Sequence, residues 1–146
     1  RLMISKQARA SGHGQAVERW ENEARMRLDL VESEISTSTA DQRVSYAEKL
    51  LLRDGLDTEA RSVLSPLATI SERLEGELLM RFAVAFARAQ AAAGPTEVNG
   101  AIDTLRDAVA RFENPEDRKK LYRLAAEILE NAGLFDRAVD AYRGRL

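Results

Sequence analysis

Apolar residues recur at steps of three and four positions along most of this chain, which is the spacing that places them on one face of an α-helix. The strong helix formers Ala, Leu, Arg and Glu dominate the composition, whereas the chain has only three prolines and eight glycines. The pattern therefore predicts an all-α fold of about seven helices without strands.

The N-terminal part of the pattern predicts a flexible arm followed by a single helix. Residues 1–14 end in small and polar residues that suit an arm, and residues 15–38 hold the helix. Its apolar positions form one narrow stripe, which consists of Val17, Trp20, Ala24, Leu28, Val31 and Ile35. Because such a stripe must be covered, the helix either caps the helices that follow or pairs with the same helix of a second molecule to form a homodimer. The short connection to the next helix favours the cap.

The remaining region, residues 39–146, divides into three helical hairpins. They cover about residues 41–70, 72–112 and 115–146. Each hairpin breaks at one glycine, and these are Gly55, Gly94 and Gly133, 39 residues apart both times. Such a period indicates a helical repeat. We expect Gly133 just past a helix end with a positive φ, because the residues after it must turn back onto Leu129.

Small and large apolar residues follow each break four positions apart, as paired helices require. The pairs are Ala60 and Leu64, Ala101 and Leu105, and Ala138 and Tyr142. Over about residues 41–146 the chain resembles the tetratricopeptide repeat family, whose hairpins stack into a right-handed α-solenoid. The last repeat resembles it most, through Tyr122, Ala125, Ala126, Gly133, Phe135, Ala138 and Tyr142. The 39-residue period departs from the family's period of about 34, so a related helical repeat or generic stacked hairpins stay open.

The resemblance implies a concave groove lined by the second, fifth, ninth and thirteenth positions of the first helix in each repeat. The basic residues at these positions are Lys49, Arg53, Arg81, Arg88, Lys120 and Arg123, and one position, Glu127, is acidic. In a chain of net charge −2 this separation of sign implies a basic groove for an acidic peptide or helix of a partner protein. The competing interpretation is a solvated helix face that is basic by chance.

Composition disfavours most other functions. With 22 basic and 24 acidic residues, the chain lacks the excess of positive charge that is typical of proteins that bind nucleic-acid phosphates. The chain has no cysteine and a single histidine, His13, next to two glycines, so neither a metal site nor a catalytic residue is expected. The sequence contains no glycine-rich phosphate-binding loop, so no cofactor is expected. No apolar run reaches the length of about twenty residues that a membrane span needs. An upstream anchor stays open, and the compartment is undecided between cytoplasm, which is favoured, and periplasm.

The sequence therefore predicts a non-catalytic protein–protein interaction module, a scaffold or adaptor rather than an enzyme. The alternative is a regulatory or accessory helical domain of a larger protein or enzyme, which packs on the rest of its own chain. The absence of an initiator methionine favours that alternative.

Overall fold

The computed structural model describes residues 37–146 as a succession of α-helices. The helices are α1 (Thr37–Leu51), α2 (Asp57–Ala68), α3 (Gly76–Ala92), α4 (Val98–Val109), α5 (Pro115–Asn131) and α6 (Phe135–Tyr142). Short 3₁₀ turns at Ser71–Arg73 and Pro95–Glu97 precede α3 and α4. Since the described residues contain no strand, the all-α class is confirmed for this part of the chain.

The predictions for the N-terminal region fall outside the described residues. They are the arm at 1–14, His13, and the apolar stripe from Val17 to Ile35 with its choice between cap and homodimer. The next helix begins at Thr37, two residues before the predicted boundary at residue 39. Residues Asp41–Leu146 form one compact unit.

The three repeat glycines lie in the turns between α1 and α2, α3 and α4, and α5 and α6. Each has a positive φ, which is 81° at Gly55, 128° at Gly94 and 77° at Gly133. After α5, the Gly133 N–H donates to the carbonyl of Glu130 at 2.9 Å, and the Leu134 N–H donates to that of Leu129 at 2.9 Å. This pair of bonds is the Schellman arrangement, which needs the left-handed conformation at its glycine. The prediction for Gly133 is therefore confirmed.

We expect Gly133→Val to lower the free energy of unfolding by about 1–2 kcal/mol, because an L side chain is strained in the left-handed region. A Cβ at this glycine would meet no atom within 4 Å, so the loss would come from backbone conformation and not from a clash. Urea unfolding followed by circular dichroism measures it. Ala132→Val is the control, because Ala132 is exposed and has an ordinary φ of −87°. Equal losses in the two variants would contradict the conformational explanation.

α3 and α4 pack antiparallel, as two contacts between them show. Near the end of α3, the Gln90 side chain accepts a hydrogen bond from Thr104 of α4 at 2.7 Å. At the opposite end, Arg111 follows α4 and donates to the carbonyl of Leu74, just before α3, at 2.7 Å. α5 packs against both α3 and α4, and α6 packs against α5. From α3 onward, each helix thus packs against at least one helix that precedes it in the chain.

Small and large buried residues alternate in this core. Ala60, Leu64, Ala101 and Leu105, which form the first two predicted pairs, are all fully buried. The third pair is only half right, because Ala138 is buried while Tyr142 is 55% exposed. α6 buries Ala138 and Ala141, and its other apolar side chains, Phe135, Val139 and Tyr142, form an exposed stripe. Within residues 37–146, no helix combines the length and apolar character needed to cross a membrane.

Candidate partner-binding groove

A groove runs between α3 and α5, which are the first helices of the second and third predicted hairpins. Its lining includes Val84, Arg88 and Ala92 from α3, and Lys120, Arg123, Glu127 and Asn131 from α5. Val84 lies at the same end as Lys120, and Ala92 at the same end as Asn131, so the two helices run in the same direction. Of the groove residues inferred for these two helices, Arg88, Lys120, Arg123 and Glu127 therefore come together, and Arg81 does not line the groove.

One end of the groove is a basic cleft of about 390 Å³. It is lined by Val84, Arg88, Glu116, Lys119, Lys120, Arg123, Leu124 and Glu127. Lys119, Lys120 and Arg123 are exposed because α5 buries Leu121, Ala125 and Ile128, and helical spacing turns the three basic side chains away from that face. Among the described residues, no carboxylate forms an ion pair with any of the four basic side chains of the cleft. Their charge is therefore available to a ligand.

The other end is an apolar cleft of about 370 Å³ that continues the basic cleft. Its walls are mainly small and apolar, with Ala91, Ala92, Pro95, Val98, Ile128 and Ala132. Arg88, Leu124 and Glu127 line both clefts, so the two ends form one continuous surface. A ligand would meet cations at one end and short apolar side chains at the other.

Arg81, one of the six basic residues inferred to line the groove, does not contribute free charge to it, because two carboxylates of α1 pair with its guanidinium. Its Nη1 contacts Asp41 Oδ1 at 2.6 Å and its Nη2 contacts Glu48 Oε1 at 2.7 Å. Nη2 also donates to Ser45 Oγ at 2.9 Å. Hydrogen bonds to Glu48 and Asp41 raise the pKa of Arg81. The physical reason is that Asp41, Ser45 and Glu48 are spaced to lie on one face of α1, which presents them together to α3.

Lys49 and Arg53 are exposed, on α1 and just past its end, and they line neither cleft of the groove. Of the six predicted basic residues, the structure therefore brings together Arg88, Lys120 and Arg123. It adds Lys119, which is not one of the four groove positions implied for α5. In the sequence, Lys119 could have been identified by its place in the basic run 118–120.

The chemistry of the groove is suited to binding anions. Lysine and arginine side chains make charge-assisted hydrogen bonds to carboxylates, which are stronger than neutral ones. Because the cleft is open to water, each exposed ion pair contributes only about 0–1 kcal/mol, and binding needs several at once. Glu116 and Glu127 line the same cleft and reduce its positive charge without balancing the four cations. Within residues 37–146, no cluster of His, Cys, Asp or Glu is arranged to hold a metal ion.

Comparison with protein-family models, with curated proteins and with solved structures finds no match to this chain. A function for the chain must therefore be argued from the groove itself.

Proposed function

We propose that this chain is a non-catalytic protein–protein interaction module that binds an acidic peptide segment of a partner protein in the groove between α3 and α5. One observation carries the proposal. Arg88, Lys119, Lys120 and Arg123 line a single cleft, and none of them is ion-paired within the described region. A chain of net charge −2 that gathers unpaired cations in one concavity attracts anionic ligands there.

The order of helix packing supports a tetratricopeptide-like solenoid as the scaffold for this groove. α3 contacts α4 and α5 contacts α6, as hairpin partners do, while α2 contacts α3 and α4 contacts α5. α3 also contacts α5 directly, although a whole helix lies between them in sequence. Stacked hairpins bring successive first helices side by side in this way, and the surface between these helices is then an extended groove.

A peptide segment fits this groove better than a small molecule does. The two clefts are open to solvent, and together they extend along α3 and α5. Micromolar affinity corresponds to about 8 kcal/mol, which exposed ion pairs reach only through several contacts combined with some apolar burial. A segment with carboxylates toward Arg88 and Lys120 and short apolar side chains toward Ala92 and Ile128 would use both ends.

Reversing two groove charges tests the proposal. We expect Arg88→Glu combined with Lys120→Glu to weaken binding of a dye-labelled glutamate-rich peptide about tenfold or more, equivalent to about 1.4 kcal/mol. Two attractions become repulsions, while both positions lie off the buried faces of their helices. Fluorescence anisotropy measures the affinity. The unmodified chain should bind more weakly as salt rises, because ions screen exposed charges over a Debye length of about 10 Å at 0.1 M.

The matched control is Arg73→Glu combined with Arg145→Glu, which changes the net charge by the same amount at two arginines without an ion pair among the described residues. Both arginines are exposed, and neither lines the groove. If the two double variants weaken peptide binding equally, the loss of affinity comes from the net charge of the chain, and the groove is rejected as the binding site. An unmodified chain that binds no acidic peptide would reject the proposal outright. It would then favour an accessory domain, for which the exposed stripe of Phe135, Val139 and Tyr142 offers an apolar face.

A further inference from the structure

A second basic cleft lies on another side of α5, between its first turns and the end of α6. This α5–α6 cleft has a volume of about 520 Å³. It is lined by Glu113, Pro115, Arg118, Lys119, Tyr122, Tyr142, Arg123, Arg143 and Gly144. Four of these residues are basic and one is acidic, so its lining is strongly cationic.

Arg118 and Tyr122 form a fixed wall of this cleft. Arg118 Nη1 donates to the carbonyls of Val109 at 2.9 Å and Phe112 at 3.1 Å. Its guanidinium lies 6.0 Å from the centre of the Tyr122 ring, and Nη2 donates to the Tyr122 hydroxyl at 3.5 Å. Since that hydroxyl oxygen accepts a bond, its own hydrogen is directed elsewhere and can be donated to an anion. Side chains held in this way need little ordering when a ligand binds.

Three further cations of the cleft are available to a ligand. Lys119, Arg123 and Arg143 are exposed, and within residues 37–146 none of them is in an ion pair. Lys119 and Arg123 also line the basic cleft of the groove. The two clefts therefore meet across the first half of α5, and their cations form one continuous band.

We propose that the α5–α6 cleft is a second anion subsite, and that the partner is an acidic segment long enough to cross α5 and place carboxylates in both clefts. This inference rests on the proposed function, because it extends the same binding surface. An extended chain covers about 3.3–3.6 Å per residue, so a segment of about four residues spans about 13 Å and one of about twelve spans about 40 Å. The shorter segment has carboxylates enough for one cleft, whereas the longer one has enough for both.

The test compares these two peptide lengths on the full chain. The probes are dye-labelled glutamate peptides of about four and about twelve residues, and the variant is Arg143→Glu. Arg143 is exposed, follows α6 and lines only the α5–α6 cleft of the two. We expect its reversal to weaken the longer peptide about fivefold or more and to change the affinity of the shorter one less than about twofold, because the shorter peptide can still occupy the basic cleft of the groove, whereas the longer one needs both clefts.

The outcomes separate this inference from the proposed function. Arg73→Glu, the control for charge, should leave both peptides unchanged. If both peptides bind and Arg143→Glu affects them equally or not at all, the second subsite is rejected while the groove stands. If neither peptide binds the unmodified chain, both proposals fail together. Circular dichroism of the variant shows whether its fold is intact.

Discussion

Replacing Leu105 by Ala is expected to lower the free energy of unfolding by about 2–5 kcal/mol, the largest effect we predict for this chain. Leu105 lies in α4, has no exposed surface, and belongs to the core that α3, α4, α5 and α6 share. Its removal loses the transfer free energy of the side chain and leaves a cavity. The fully buried Ala101 and Ala125 lie in the same core, and these short side chains cannot extend to fill the space.

Leu52→Ala is the matched control for this prediction. It is the same substitution at a leucine that is 86% exposed, so we expect a change within about 0.5 kcal/mol. Urea unfolding of both variants, followed by helical circular dichroism, measures the difference. Similar losses at the two positions would contradict the burial assigned to α4.

The turn inside each hairpin could be predicted because it depends on local properties of the chain. A glycine that ends a helix is identified by its lack of a side chain and by the end of the apolar period before it. Gly55, Gly94 and Gly133 satisfied both conditions, and all three separate helices with a positive φ. The start of α1 was less accurate, since several residues of the stretch 36–42 can begin a helix.

The environment of α6 shows what local pattern leaves undetermined. The period of three and four identifies the apolar side chains of this helix but does not say which of them another element covers. Ala138 and Ala141 face α5, whereas Phe135 and Tyr142 stay exposed. That choice depends on the angle at which α6 meets α5, and this angle is a property of the tertiary packing.

The residues of the candidate binding surface also fall into two groups, those that the sequence could predict and those that depend on tertiary packing. Arg88, Lys120 and Arg123 could be placed together because the resemblance to stacked helical hairpins implies that the first helices line one groove, and helical spacing turns these side chains away from the core. Arg143 was missed because its cleft forms only when the end of α6 packs beside the first turns of α5. The pairing of Arg81 was missed because its partners lie 33 to 40 residues earlier in the chain. Contacts over such separations are set by the fold, and a residue's position on its own helix does not reveal them.

Arg81→Glu is therefore expected to destabilise the chain, in contrast to what its position on the predicted groove implies. The variant loses two ion pairs of about 0–1 kcal/mol each and adds a third carboxylate beside Asp41 and Glu48. Because the Arg81 side chain is only 28% exposed, the new repulsion is incompletely screened. We expect a loss of about 2 kcal/mol in the free energy of unfolding, which high salt should partly restore.

Arg88→Glu provides the control on the same helix, two turns further along α3. It makes the same substitution at an exposed arginine that has no ion pair among the described residues, so stability should change by less than about 0.5 kcal/mol. Urea unfolding of the two variants at low and high salt gives the comparison. If Arg81→Glu is as stable as Arg88→Glu at both salt concentrations, the contacts between α1 and α3 contribute nothing measurable. Arg81 would then be free to bind an acidic partner, as its position on the helix first indicated.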